Sequence, residues 1–226
     1  PLFESMKARL AGIASHVGMT GVFRLLGSDV FRVREISQVP GTTLPAPPPR
    51  HNLLASLRHA SERMGGQCEL GMLLSETLQA LERHFDIRHA IVLLYDQAAG
   101  RLYTVASHGY DASGVGSEIG LGEGVVGVAA RERTPIRIGH MTSEYSYNRA
   151  IRANTPGGAP DVEIPLPGLA DPRSQLAVPL VVGPRLLGVL YVESPYELCF
   201  SYDDEDALVA LAAQLAMAIH ILQSLA

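Results

Sequence analysis

From residue 69 to 85 the apolar side chains of Leu70, Leu73, Leu74, Leu78, Leu81 and Phe85 recur at three- and four-residue intervals. That spacing puts them on one face of an α-helix, predicted over 69–85. An earlier helix is predicted over 52–64, capped by Asn52 and broken by Gly65 and Gly66. After Phe85 the period changes. Residues 89–95 are apolar almost throughout, as a central strand would be. A turn over 96–100 leads into an alternating run, 101–107, that pairs back as a hairpin. Residues 115–119 read as a third strand. Residues 123–131 read as a short helix, with Gly124 and Gly127 permitting close packing. Residues 136–138 read as a fourth strand. Two apolar strands, 176–182 and 186–192, flank a Gly183-Pro184 turn. A long apolar helix over 204–225 closes the chain. Ser201 or Asp203 is its predicted cap, and the acids beside it sit at the positive helix end.

This order of elements describes an α+β sandwich. An antiparallel sheet carries the terminal helices on one face and a variable cap of loop and short helix on the other. The last helix is apolar nearly all round. Leu208, Leu211, Leu215 and Ile219 form one stripe, and Val209, Ala212, Ala216 and Leu222 widen it. A helix that packs one face on a sheet needs a partner for the other. A homodimer is therefore expected, with this helix and one of the two earlier helices bundled across a two-fold axis.

The first fifty residues stand apart. Residues 22–26 and 30–36 flank Gly27-Ser28-Asp29, a hairpin signal. Five prolines follow from Pro40 to Pro49 in an extended spacer that forbids a helix. Two regions are predicted: an N-terminal extension with its proline-rich linker over 1–50, and a folded domain over 51–226. The chain begins at Pro1, which suits an excised piece of a longer protein.

Composition narrows the function. The chain is 47% hydrophobic and 18% charged, with a net charge of −5. That balance suits a soluble domain with a sizeable core. It lacks the basic surface of a nucleic-acid binder, so no direct nucleic-acid contact is expected. The first sixty residues are basic and the remainder acidic, and the basic part can touch an acidic partner or the acidic body itself. Cys68 and Cys199 have neither C-x-x-C spacing nor a companion histidine. Disulfide frameworks and structural zinc are not expected, and reduced thiols suit the cytoplasm. No signal peptide is visible, and residues 207–222 read as a buried helix rather than a membrane span. One lysine against seventeen arginines points to a GC-rich bacterial source.

Two blocks carry a family resemblance. Residues 119–127 read IGLGEGVVG and run into a helix and an Arg-Thr-Pro-Ile strand start. Residues 174–219 combine the strand pair, the Phe200-Ser-Tyr-Asp-Asp-Glu205 stretch and the apolar helix. Together they resemble the GAF domain, a family of small sensory modules, over residues 69–224. The resemblance implies regulation, ligand or partner binding, and no catalysis. Cyclic-nucleotide-binding members have Asn-Lys ahead of their Phe-x-x-x-Asp-Glu, and the lysine pairs with the aspartate. Here the corresponding stretch is Glu193-Ser194-Pro195-Tyr196. Tetrapyrrole-binding members use a cysteine and Asp-Ile-Pro; this chain has Glu163-Ile164-Pro165 and no cysteine between Cys68 and Cys199. The methionine-sulfoxide reductase branch uses several cap cysteines, and none is present in this cap. Haem-binding members use a histidine from the area of His108 and His140.

The long stretch from His140 to Arg173 is the predicted lid. Tyr145, Tyr147, Arg149 and Arg152 within it suit an anionic or aromatic ligand, held by charge-assisted hydrogen bonds. His108 and Gln175 complete the candidate ligand-binding set. No catalytic residue and no metal ligand is assigned, and the cofactor is unknown. The reading is a sensory or regulatory domain of a larger bacterial signalling or transcription-control protein. It would bind a small ligand in a capped pocket and act through its terminal helices. The alternatives are a ligand-free dimerisation scaffold and a small-molecule enzyme on the same fold.

Overall fold

The computed structural model describes residues 23–25, 31–33, 52–141 and 166–225. The chain divides into two units, Pro1–Thr43 and Leu44–Ala226. In the first, β1 (Phe23–Leu25) pairs antiparallel with β2 (Phe31–Val33), Arg24 opposite Arg32. The antiparallel pairing expected of residues 22–26 and 30–36 is present over these six residues, and the turn Gly27-Ser28-Asp29 lies outside the described residues. Residues 2–15, whose pattern suits a helix, and the prolines of 40–49 lie outside the described residues.

The second unit begins with α1 (Leu53–Met64) and α2 (Leu70–Phe85). Asn52 caps α1 as expected: its side chain accepts from the Ala55 amide at 3.2 Å. Then come β3 (His89–Asp96), β4 (Arg101–His108), β5 (Glu118–Gly120), α3 (Gly124–Glu132) and β6 (Ile136–Ile138). The chain closes with β7 (Ser174–Val182), β8 (Arg185–Ser194) and α4 (Tyr202–Leu225). The strands form one six-stranded sheet in the order β5-β4-β3-β8-β7-β6, every pairing antiparallel. This is the expected α+β architecture.

The third strand differs from its prediction. It starts at Glu118, not Val115, because Gly114 and Gly116 take positive φ and interrupt the extended ladder. Ser117 is instead tied to β4, its hydroxyl 2.8 Å from that of Thr104.

Alternation along the central strands splits the core into two layers. Ala90, Val92, Leu176, Val178, Leu190 and Val192 face α1, α2 and α4. Ile91, Leu93, Ala177, Val189 and Tyr191 face the other way, toward Val126, Ala129 and Ala130 of α3. α1 lies between α2 and α4 on the first layer, and Ser61 donates to Gln214 of α4 at 2.6 Å. Part of α4 that the sequence reading assigned to a second copy is thus covered within the same chain.

The remaining face of α4 exposes Val209, Met217, Ile221 and Leu225. By length and composition α4 could cross a membrane. Its Leu208, Leu211, Leu215 and Ile219 are fully buried in the core.

Candidate functional site

On the sheet face opposite the three helices, one cross-strand row is polar. Gln175 of β7 stands opposite Glu193 of β8, which stands opposite His89 of β3. Directly paired residues share a face, and Tyr191 lies two residues along β8 on that same face. Two of its members are sealed, Gln175 at 3% exposed and Glu193 at 1%, and His89 is half-buried. The Glu193 carboxylate accepts from the Leu169 backbone amide and, at 2.9 Å, from the Tyr191 hydroxyl. The Gln175 side-chain oxygen is buried without a hydrogen-bond donor among the described residues. The His89 ring meets Tyr110 edge-on, 5.5 Å between centroids. Burial holds the His89 imidazole below its ordinary 6.5; Arg88 and His108 push the same way, against the opposing pull of Glu193 and Glu82. His89 is therefore neutral near pH 7.

Of the six residues read from the sequence, Gln175 belongs to this row. His108 does not. It is paired with Ala90, whose side chain faces the helices, and its Nε2 lies 2.7 Å from the Glu82 carboxylate of α2. Tyr145, Tyr147, Arg149 and Arg152 lie outside the described residues. Glu193 and His89 were missed. The signal for Glu193 was present: it is an ionisable residue inside a strand otherwise apolar from Leu186 to Val192, on Tyr191's side of it. His89 carried no comparable mark. A cavity of about 340 Å³ lies elsewhere, at the opposite ends of these strands, against Leu94, Tyr95, Tyr103, Arg185 and Gln223. Among the described residues no three His, Cys, Asp or Glu side chains gather as a metal site would need.

A family model described as GAF domain matches residues 69–220. The chain belongs to the GAF domain family. GAF domains are typically sensory or regulatory. No curated protein sequence matches the chain. Among solved structures, it is similar to the GAF domain from an Acinetobacter phosphoenolpyruvate-protein phosphotransferase, with 23% identity and a TM-score of 0.61. That match covers 76% of this chain and 95% of the other. The free methionine-R-sulfoxide reductase from Neisseria meningitidis, in complex with its substrate, matches at 20% identity and TM-score 0.59, over 77% and 92% of the two chains. The A. aeolicus nlh2 GAF domain matches at 17% and 0.55, over 75% and 96%.

The reductase match corrects the expectation that this fold means no catalysis. The same architecture serves as an enzyme in Neisseria meningitidis, so membership in the family is no argument against chemistry.

The GAF stretch Phe200–Glu205 has a structural part to play here. Ser201 and Asp204 cap α4 reciprocally: the Asp204 amide donates to the Ser201 hydroxyl at 3.1 Å, and the Ser201 amide donates to the Asp204 carboxylate at 2.8 Å. Glu205 accepts from Arg137 of β6 at 2.9 Å. Arg137 also donates to the Phe200 carbonyl at 3.1 Å and lies over the Tyr202 ring, 4.1 Å from its centroid. The cation on this stretch therefore comes from another strand. Just beyond β6, His140 meets Glu197 at 2.8 Å, and the Leu198 amide donates to the Gly139 carbonyl. Arg173, immediately before β7, lies 3.6 Å from the same Glu197. The chain on either side of the predicted lid is thus bound to the loop that leads into α4.

Proposed function

We propose that this chain is the sensory or regulatory GAF module of a larger bacterial signalling or transcription-control protein, working in the cytoplasm. A small ligand binds the sheet face opposite the helices. Gln175 contacts it from β7, and Tyr145, Tyr147, Arg149 and Arg152 contact it from the intervening segment. One observation carries the reading: a polar row with an unmet acceptor lies buried where a core would otherwise be apolar. Burying such groups costs stability unless a partner arrives. The link from Gly139, His140 and Arg173 to Glu197 gives a route by which rearrangement near the ligand reaches α4.

Native mass spectrometry of the freshly purified chain, followed by thermal melts against a metabolite panel, tests this. The expected result is either a retained small mass or a metabolite that raises Tm in proportion to its concentration. A bare mass together with no stabilising metabolite would overturn the reading. The second reading, a ligand-free dimerisation scaffold, is favoured by the exposed apolar stripe of α4.

A further inference from the structure

The Glu193 carboxyl group is buried and has no counter-ion among the described residues. No Lys, Arg or His side chain lies within ion-pair distance of it among the described residues. Its hydrogen bonds come from two neutral donors, the Leu169 amide and the Tyr191 hydroxyl. A carboxylate offers about four lone-pair sites, so acceptor capacity remains. On the adjacent strand, the side-chain oxygen of Gln175 is a second buried acceptor and has no donor among the described residues. His89, on the other side, is held neutral by burial and supplies no positive charge. Neighbouring strands lie about 4.8 Å apart, so groups on Gln175 and Glu193 can be bridged by one small donor.

We propose that the Gln175–Glu193 pair receives the primary ammonium group of a small amine ligand. This rests on the reading of that sheet face as a ligand site. An ammonium is compact, carries three donors and no acceptor, and supplies the missing charge. A hydroxyl or a water satisfies an acceptor but leaves the carboxylate uncompensated. A carboxylate or phosphate would be repelled. The Tyr110–His89 pair walls the row on its β3 side.

The test is calorimetry and thermal melting of the full chain against amino acids, diamines and amino sugars. Each is run beside its hydroxyl and N-trimethyl analogues. Anionic and nucleotide metabolites form a second arm. A primary amine is expected to bind, with its analogues weaker by about 10- to 100-fold, the loss that goes with a charged hydrogen bond. Glu193→Gln and Gln175→Met should weaken the same amine by a similar factor. If Glu193→Gln fails to fold, Gln175→Met decides. It removes the acceptor at nearly constant size, and the unliganded variant should melt no lower than wild type. A lower melting temperature there would mark a structural role and overturn the assignment. So would an amine bound equally well by Gln175→Met, or a panel in which no primary amine binds. A second-arm metabolite that binds when no amine does would remove the ammonium assignment and leave the ligand site standing. Silence in both arms would remove both.

Discussion

Gly109 follows β4 at φ +85°, and a Cβ there would run into the Arg88 carbonyl. The glycine lets the chain reverse between His108, which faces α2, and Tyr110, which reaches His89 on the other side. Gly109→Ala combines left-handed strain with a backbone clash. We expect it to cost about 2–3 kcal/mol in urea unfolding. A variant as stable as wild type would show that this reversal relaxes freely. His89 predicts a pH dependence. Its folded pKa is depressed, so the unfolded chain takes up the proton near its ordinary 6.5 while the folded chain resists until lower pH. Stability should therefore fall as pH drops from about 7 toward 5, and level off once the folded imidazole is also charged. Burial also lowers the pKa of His84, with His59, Arg63 and Arg83 adding to the shift, so it acts in the same direction. Unfolding midpoints across this window should decline in wild type and decline less in His89→Gln. Equal slopes would remove His89 as a source.

At the scale of elements, the N-terminus of α4 depends on a strand far from it in sequence. Arg137 and Glu205 form an ion pair with side chains 18% and 11% exposed. Such a pair is costly to break from one side, because the remaining charge is poorly solvated. Arg137→Met should lose about 2–3 kcal/mol, and amide exchange in the first turn of α4 should accelerate. Unchanged protection there would mean that the Ser201–Asp204 cap suffices alone. The glycines of 120–127 act at this scale too. Gly122 donates to the Gly127 carbonyl at 2.7 Å, and a Cβ on Gly127 would meet the Gly120 backbone. The sequence reading of close packing holds for Gly127. Gly124 has open space around it and is needed instead for its φ of +58°.

For the whole molecule, the open question is association. Val209, Met217, Ile221 and Leu225 leave a row of large apolar side chains on the outer face of α4. Some of the apolar surface behind this expectation is already spent on α1. We expect light scattering to give about twice the chain mass of 24.2 kDa. Met217→Glu with Ile221→Glu should halve that mass and leave the far-ultraviolet spectrum unchanged, since both side chains are about half exposed. A wild-type monomer at high micromolar concentration would rule the dimer out.

The element types, most of their boundaries, the α+β class and the family are legible along the chain. These follow from local quantities: an apolar period of 3.6 or 2, caps such as Asn52 and Ser201, and turns such as Gly183-Pro184. Gln175, read from the sequence as a ligand-binding residue, stands opposite Glu193 in the polar row. Which polar residues stand together depends on how the strands pair. His89, Gln175 and Glu193 are distant in the chain and meet through the registers of β3, β7 and β8. Strand parity alone does not say which face is which, and His108 shows the consequence: pairing with Ala90 turns it toward α2. The bonding of Arg137 to Glu205 likewise needs β6 to lie beside the start of α4. No spacing along the chain encodes that juxtaposition, because it arises from how the sheet and helix layers pack.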